Sequence, residues 1–354
     1  MKKCLLFTFD YELFLGARSG LVHDCMIEPT EKLIDVFDEY KVKAIFFVDT
    51  TYLSRLKEKV NTHKQCALDF DSIVHQIQQL IRKGHYVYPH IHPHWIDAEY
   101  NTETNQWSLN DVTHYRFHNV NDTLKEKIFH ESMEVLHSII HPADPNYKIN
   151  GFRAGGWSLQ PFTDFKPFFD KYNIIYDFSV LPRTYQLSDV QYFDFSNSPT
   201  KPVYRFEDDV TVENQEGKYT ELVSSIIKVS TFTEFINRLY LQYLYRVKND
   251  HTYGKGQGQH SNDIPEMKPV SEQGTSIRNT RFQPISMETF NRIKVPVYLN
   301  YLKNNTYMQF VSHPKMLSNH NVKTVARFLE MVTKKYGLEF DFQSFINNSK
   351  GSVN

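Results

Sequence analysis

Cysteine is scarce in this sequence of 354 residues, and its three cysteines, Cys4, Cys25 and Cys66, show no Cys-x-x-Cys spacing. A sparse, odd set of this kind argues against a disulfide framework and favours a reducing compartment. Apolar runs of about 18 residues, which a transmembrane helix requires, are also missing. The sequence therefore predicts a chain with neither a transmembrane segment nor a disulfide scaffold.

The chain also lacks an excess charge of either sign, because 40 lysines and arginines almost cancel 41 aspartates and glutamates. This balance gives no bulk electrostatic reason to expect binding to nucleic acid or to an anionic membrane. A signal peptide is not expected either. The N-terminal apolar run is short, has no small-residue cleavage site and is followed at once by Asp10 and Glu12. We interpret the run as a buried strand and expect a cytoplasmic protein.

Short apolar or aromatic runs alternate with segments of helical periodicity, a pattern typical of a parallel sheet or barrel in an α/β protein. The predicted strands cover residues 4–9, 44–48, 85–88, 149–153, 174–177 and 307–312. The predicted helices cover residues 29–40, 70–83, 121–140 and 319–336. We expect one domain over residues 1–345, with insertions at about 97–119, 181–230 and 250–281, and a disordered tail over 346–354.

Three histidines, His90, His92 and His94, lie within five residues directly after the third predicted strand. Neutral imidazole is the commonest protein ligand of zinc-like ions. Two geometries remain open. If the loop curls through about one turn, His90 and His94 reach the same ion, whereas extended backbone places all three imidazoles on one side. A polar surface loop is the alternative, but the strand-end position favours a metal site.

Two carboxylates, Asp10 and Glu12, follow the first predicted strand. The pair suits a division of labour in which one carboxylate binds a metal and the other takes a proton from water. His313 closes the last predicted strand and has a pKa suited to protonating a leaving amine. The alternatives are an aspartate that hydrogen-bonds local backbone and a buried structural histidine.

Arg153 and Asp177 also end predicted strands. In a parallel α/β barrel, the carboxyl ends of the strands meet at one face, where active sites form. We expect Arg153 to orient and acidify Asp10, and Asp177 to hold His313 protonated. For both residues a structural salt bridge is nearly as good an interpretation.

Aromatic residues make up 15% of the chain, with 22 tyrosines and 27 phenylalanines. This content fits a sugar-stacking cleft but also an ordinary aromatic core. Trp95 and Trp157 flank the motifs above. We expect them to line a sugar site, with core packing as an equal alternative.

The motifs and their order resemble those of the polysaccharide deacetylases, the NodB-homology group of carbohydrate esterase family 4. The segments that carry the resemblance are Thr8-Phe9-Asp10, Ala44-Ile45-Phe46-Phe47-Val48, Gly84-His85 with His90 and His94, Phe152-Arg153-Ala154-Gly155-Gly156-Trp157, and His313. Together they cover about residues 4–180 and 306–336. The resemblance implies a distorted (β/α) barrel of about seven strands, with β-rich and loop insertions.

The sequence departs from the family pattern in several places. Tyr11 stands where the family usually has a metal-binding aspartate, and Glu12 looks like the replacement. Ile91 takes the place of a serine or threonine, His92 is an additional histidine, and Gly155 replaces a proline. Because phenol is a poor metal ligand, Tyr11 also keeps open a catalytically inactive carbohydrate-binding protein on the same scaffold.

The resemblance implies a metal-dependent hydrolase that removes N-acetyl or N-formyl groups from an amino sugar. The sugar would belong to a surface polysaccharide, lipopolysaccharide or capsule, or to its precursor. Glu12, His90 and His94 would hold a divalent ion, by expectation Zn²⁺. Asp10 would act as general base and His313 as general acid. A metal-dependent phosphoesterase or amidohydrolase is a further hypothesis.

Overall fold

The computed structural model describes residues 2–188, 190–258, 266–267 and 280–350. Its strands, in chain order, are Lys3–Tyr11 (β1), Ile45–Asp49 (β2), Tyr86–Ile91 (β3), Glu99–Asn101 (β4), Gln106–Ser108 (β5), Gly151–Ala154 (β6), Tyr176–Asp177 (β7), Thr184–Leu187 (β8), Tyr192–Asp194 (β9), Val203–Phe206 (β10), Tyr219–Leu222 (β11), Ile226–Ser230 (β12), Glu266–Met267 (β13), Thr280–Pro284 (β14), Tyr307–Ser312 (β15) and Leu338–Glu339 (β16). Its α-helices are Glu28–Tyr40 (α1), Thr50–Lys59 (α2), Lys64–Arg82 (α3), Asp122–Ile140 (α4), Lys166–Tyr172 (α5), Thr231–Val247 (α6), Val295–Asn304 (α7), Asn319–Lys335 (α8) and Phe342–Lys350 (α9).

The main sheet has the strand order β10-β11-β7-β6-β3-β2-β1-β15, with β16 paired to the start of β1. Its neighbouring strands are parallel, except that β10 runs antiparallel to β11. Parallel strands present their carboxyl ends at the same edge. This topology therefore brings the ends of β1, β3, β6 and β15 together, and with them the candidate site residues.

The main sheet is curled and encloses a cluster of buried side chains on its inner face. Along β1, alternate residues face two different cores, because successive side chains of a strand point to opposite faces. Leu5, Phe7 and Phe9 pack towards the outer helices, whereas Leu6 points inward. The inward cluster also contains Leu222 from β11 and Tyr307 from β15, which lie near opposite edges of the sheet. Such contacts require a curled sheet, so the predicted α/β fold, a distorted barrel, is confirmed.

The predicted strands and helices all exist, with ends that move by a few residues. A larger difference concerns the region 181–230. It is rich in strands as predicted, but β10 and β11 extend the main sheet instead of forming a separate excursion. In the insertion at 97–119, β4 and β5 form a small antiparallel pair. Of the expected loop at 250–281, most residues lie outside the described part of the chain.

The C-terminal segment differs from the expected tail. Residues 346–350 belong to α9, and the last four residues of the expected tail, 351–354, lie outside the described part of the chain. Phe342 packs edge-on against Tyr86 and Tyr88, and Ile346 is buried in the same inward cluster. Burial of these apolar side chains explains why the segment is helical. None of the helices in the described residues combines the length and hydrophobicity needed to cross a membrane.

Candidate active site and metal centre

The end of β1 places Asp10 against an arginine inside the barrel. Arg153 Nη1 donates a hydrogen bond of 2.6 Å to Asp10 Oδ1, and Arg153 Nη2 donates to Thr8 Oγ1 at 2.9 Å. The guanidinium also lies 4.1 Å from the centre of the Phe47 ring. Burial alone would raise the pKa of Asp10, but Arg153, His90 and His313 together lower it below its usual value. Asp10 is therefore a carboxylate, with Arg153 in the position that the sequence predicts.

The end of β3 presents two histidines on the same side. The backbone remains extended through His92, and a short 3-10 turn begins at Pro93. With the two-residue period of a strand, His90 and His92 face the same way. His90 Nδ1–H donates to the Arg153 carbonyl at 2.8 Å, which leaves Nε2 as the free lone pair. Of the two geometries left open by the sequence, the extended one applies up to His92.

Glu12, His90 and His92 form a group whose ligand atoms lie within 4.8 Å of one another. Glu12 Oε2 is 2.9 Å from His92 Nε2 and 3.5 Å from His90 Nε2, and the two imidazole nitrogens are 3.1 Å apart. Ligands around a tetrahedral zinc at 2.0–2.1 Å are about 3.3 Å apart. Oε2 is buried, and apart from these two imidazoles it has no hydrogen-bond donor. The donor set and its spacing therefore fit a divalent cation such as Zn²⁺.

The second oxygen of Glu12 is held by a lysine. Lys315 Nζ donates to Glu12 Oε1 at 2.9 Å and to the Leu13 carbonyl at 2.6 Å. Burial disfavours the ionised carboxyl, but Lys315 and His92 lower the pKa of Glu12 well below its usual range. The lysine thus keeps Glu12 ionised and fixes its orientation, so that Oε2 faces the two imidazoles.

His313 lies between Asp10 and a second carboxylate. Its Nε2 is 3.5 Å from Asp10 Oδ2, and its Nδ1–H donates to Glu288 Oε1 at 2.7 Å. The backbone N–H of His313 donates to the same Glu288 oxygen at 2.9 Å. Burial lowers the pKa of the imidazole, but Glu288 and Asp10 raise it above its usual value. His313 is therefore oriented to present a proton at Nε2 near Asp10.

Gly155 makes room for the additional histidine. A Cβ atom at this position would lie 2.2 Å from the Ile91 carbonyl oxygen and 2.8 Å from His92 Nδ1. A residue with any side chain, including the family's proline, would displace one of these groups. The glycine therefore leaves space for both the Ile91 carbonyl and the His92 ring.

The structure places His94 outside the Glu12, His90 and His92 group. Pro93 starts the turn that points His94 away, and its ring stacks on Tyr115 with the centroids 4.9 Å apart. Neither ring nitrogen has a hydrogen-bond partner, and burial lowers the pKa of His94 to about 3. His94 is a neutral, buried imidazole, and it is His92 that lies together with Glu12 and His90.

Asp177 also lies elsewhere than expected. Its carboxylate accepts hydrogen bonds from the Ser179 N–H and hydroxyl, each at 2.9 Å. Glu221 lies against it, and burial raises the pKa of both carboxyls. The expected pair with His313 does not form, because Glu288 lies beside His313 instead. Asp177 and Glu221 form a buried acidic pair close enough to Arg153 for its charge to oppose this rise in the pKa of both carboxyls.

The two tryptophans have different environments. Trp157 lines the cavity above the site, whereas Trp95 is fully buried. The Trp95 indole donates to Asp49 and packs against Tyr52 and Trp107. The structure thus makes Trp95 a core residue and places Trp157 at the wall of the cavity.

A cavity of about 480 Å³ opens above these groups. It is lined by residues from the strand ends and the adjoining loops: Asp10, Glu12, Phe14, Leu15, His90, His92, Tyr115, Gly156, Trp157, Gln191, Gly258, Glu288, His313, Lys315 and Met316. Cavities of 300–1,000 Å³ suit small organic ligands. Carboxylates, imidazoles and aromatic rings in one cleft can bind a cation, move protons and stack on a sugar ring.

Sequence reasoning did not identify Glu288 or Lys315. Lys315 had a signal, since it lies two residues after His313 at the end of the last strand. Glu288 had none, because it lies in an irregular segment and reaches His313 only through the fold.

No family model matches the sequence, and no curated protein matches it either. Solved structures similar to this chain include a protein from Mycobacterium smegmatis named as a polysaccharide deacetylase. The two sequences are 13% identical, the TM-score is 0.47, and the match covers 98% of this chain and 90% of the other.

Two further similar structures represent two kinds of hydrolase. The catalytic domain of a peptidoglycan N-acetylglucosamine deacetylase from Eubacterium rectale is 13% identical, with a TM-score of 0.33 and coverage of 96% and 88%. The PuuE allantoinase is 7% identical, with a TM-score of 0.46 and coverage of 96% and 86%.

Proposed function

We propose that this protein is a metal-dependent hydrolase that removes an N-acetyl or N-formyl group from an amino sugar. The substrate would be a surface polysaccharide, lipopolysaccharide or capsule, or its precursor in the cytoplasm. One observation carries the proposal: a three-ligand group of Glu12, His90 and His92 adjoins the Asp10–His313 pair in one cavity. A metal group beside a separate acid–base pair is what amide hydrolysis at neutral pH requires.

In this proposal Glu12, His90 and His92 hold the divalent cation. When bound, the cation supplies Lewis acidity, which lowers the pKa of a water molecule and polarises the amide carbonyl. Asp10 takes the proton of the attacking water, since Arg153 keeps it ionised and its Oδ2 faces the cavity. His313 then donates the proton of Nε2 to the departing amine, and Glu288 stabilises the charged imidazole.

The environment of Tyr11 supports an active enzyme over an inactive carbohydrate-binding scaffold. Its hydroxyl donates to Gln76 Oε1 at 2.7 Å, and its ring packs edge-on against Phe46 in the outer core. Tyr11 therefore has a packing role, and Glu12, one residue later, supplies the carboxylate.

The test is metal analysis of the purified protein, followed by a screen for acetate, formate and phosphate release. Chitin oligosaccharides, an N-formyl amino sugar and p-nitrophenyl phosphate are suitable probes, and Asp10→Asn is the matched control. Metal-dependent acetate or formate release that Asp10→Asn abolishes would support the proposal. Phosphate release alone would favour a phosphoesterase, and turnover unaffected by chelation would refute the metal-dependent mechanism.

A further inference from the structure

Helix α6 exposes the largest group of apolar side chains in the described residues. Its 17 residues span about 25 Å. Among the residues that the structure describes, thirteen large hydrophobic residues are exposed, and six of them belong to this helix: Phe232, Phe235, Leu239, Tyr243, Tyr245 and Val247. Single exposed apolar residues are ordinary, but a cluster of this size marks an interaction surface.

Five of these residues form one stripe along the helix. Phe232, Phe235, Leu239, Tyr243 and Val247 follow a spacing of three and four residues, which places them on one face. Phe232 is 72% exposed and Val247 66% exposed. The opposite face is the one attached to the protein, since Asn237 and Leu244 are buried. We refer to these five residues as the α6 stripe.

The charges beside the α6 stripe are positive. Arg238, Arg246 and Lys248 are exposed along the helix and at its end. Glu234 is the one acidic residue of the helix, and its carboxylate lies 3.4 Å from Lys294 Nζ. An apolar face bordered by cations is complementary to an anionic lipid surface, where basic residues contribute about 1 kcal/mol each.

A second copy of the chain fits this surface less well. Packing of one α6 stripe on another would bring Arg238 and Arg246 of both copies to the same contact. Like charges opposed across an apolar contact are unfavourable, and α6 offers no exposed acid to compensate. The charge pattern therefore favours a lipid surface over self-association.

The α6 helix also lies at the same end of the molecule as the site. The Tyr240 ring packs edge-on against His320 in the first turn of α8, which follows β15 and His313. Asp250, after the helix, accepts a hydrogen bond from the His320 N–H at 3.2 Å. Further along, the Gly254 N–H donates to the Lys315 carbonyl, and Gly258 lines the site cavity. A surface bound by α6 would thus lie near the cavity mouth.

We propose that α6 is an interfacial membrane helix, which docks the protein on an anionic lipid surface through the α6 stripe. The substrate is then an amino sugar carried on a lipid, so that docking brings it to the cavity. The docking half of this inference is independent of the chemistry, and the substrate half rests on the proposed function.

Co-flotation of the full-length protein with vesicles tests the docking. Vesicles of phosphatidylcholine alone and of phosphatidylcholine with phosphatidylglycerol are compared. The protein should float with the anionic vesicles, and Arg238→Gln/Arg246→Gln should weaken binding about 30-fold. Phe232→Ser/Phe235→Ser/Leu239→Ser should weaken it at least about 100-fold, because three apolar side chains no longer enter the interface.

The control is Leu68→Ser/Met331→Ser, which removes exposed apolar residues from α3 and α8 and should leave binding unchanged. Circular dichroism and thermal melting verify that each variant is folded. Absence of wild-type flotation, or equal flotation of the triple variant, would overturn the docking. A dimer in light scattering that the triple variant converts to monomer, without vesicle binding, would show that the stripe serves self-association.

Acetate release tests the substrate half separately. The wild type should act faster on an N-acetylglucosamine glycolipid in the anionic vesicles than on a soluble chitin oligosaccharide. The triple variant should lose this advantage and keep its rate on the soluble sugar. Equal rates despite docking would refute the lipid-carried substrate. Release from neither probe, with flotation intact, would count against the proposed function alone.

Discussion

Asp10 and Glu12 leave the same strand two residues apart, yet each meets a different cation. Asp10 accepts from the guanidinium of Arg153, and its other oxygen faces His313. Glu12 accepts from the ammonium of Lys315, and its other oxygen faces His90 and His92. Each cation occupies one oxygen and leaves the second for chemistry. In the proposed mechanism, the two carboxylates from one strand therefore take different roles, proton transfer for Asp10 and metal binding for Glu12.

The largest expected effect is the loss of activity on substitution of Asp10, which separates proton transfer from metal binding. Asp10→Asn should reduce kcat about 10²–10⁴-fold, because the amide cannot take a proton from water. Metal content should stay near that of the wild type, since Asp10 lies outside the three-ligand group. Steady-state kinetics and elemental analysis of the same preparation measure both quantities. Loss of the metal in Asp10→Asn would mean that the two carboxylates share one role.

The roles of Lys315 and Arg153 can be compared by the stability of variants that lack each cation. Lys315→Met leaves the Glu12 carboxylate buried without its partner, which should lower the free energy of unfolding by about 3–5 kcal/mol in the metal-free protein. Zinc should restore part of the loss, because the ion supplies positive charge at Glu12. Arg153→Met is the matched variant: it should destabilise similarly, but zinc should not restore that loss. Urea unfolding of both variants, with chelator and with zinc, measures this difference. Equal rescue of both variants by zinc would contradict the assignment of metal binding to Glu12 and not to Asp10.

Two histidine variants test which imidazoles bind the metal together with Glu12. His92→Ala should weaken metal binding by more than about 100-fold, because loss of an outer partner alone typically costs about 10–100-fold. His94→Ala removes a buried imidazole without hydrogen bonds, and it should affect stability more than metal affinity. Competition with a chromophoric chelator measures the affinities. If His94→Ala weakened metal binding more than His92→Ala, the ligands would be Glu12, His90 and His94, as the sequence suggested.

Much of the fold and part of this site follow from the sequence, for reasons visible in particular elements. The runs at 4–9 and 307–312 are buried on both faces, so composition alone marks them as strands of a parallel sheet. Asp10, Arg153 and His313 were predicted because they end such strands. The choice between His92 and His94 depends on where Pro93 turns the chain, and spacing did not fix it.

Other features depend on long-range contacts. Glu288 reaches His313 from a segment without a pattern, and Asp177 points towards Glu221 because of a local turn. Helix α6 was not predicted, since its tyrosines and phenylalanines resemble strand composition and its stripe faces outward.

The smallest expected effect concerns Gly155, which lies against His92, one of the three proposed metal ligands. Gly155→Ala places a Cβ against the Ile91 carbonyl and the His92 ring. Relief of this clash should cost about 1–3 kcal/mol of stability. Displacement of His92 should also reduce metal affinity about tenfold. In the double variant with His92→Ala, the ring is gone, so Gly155→Ala should no longer change metal affinity. A penalty on metal binding that persists in the double variant would show that Gly155 acts through the Ile91 backbone and not through the extra histidine.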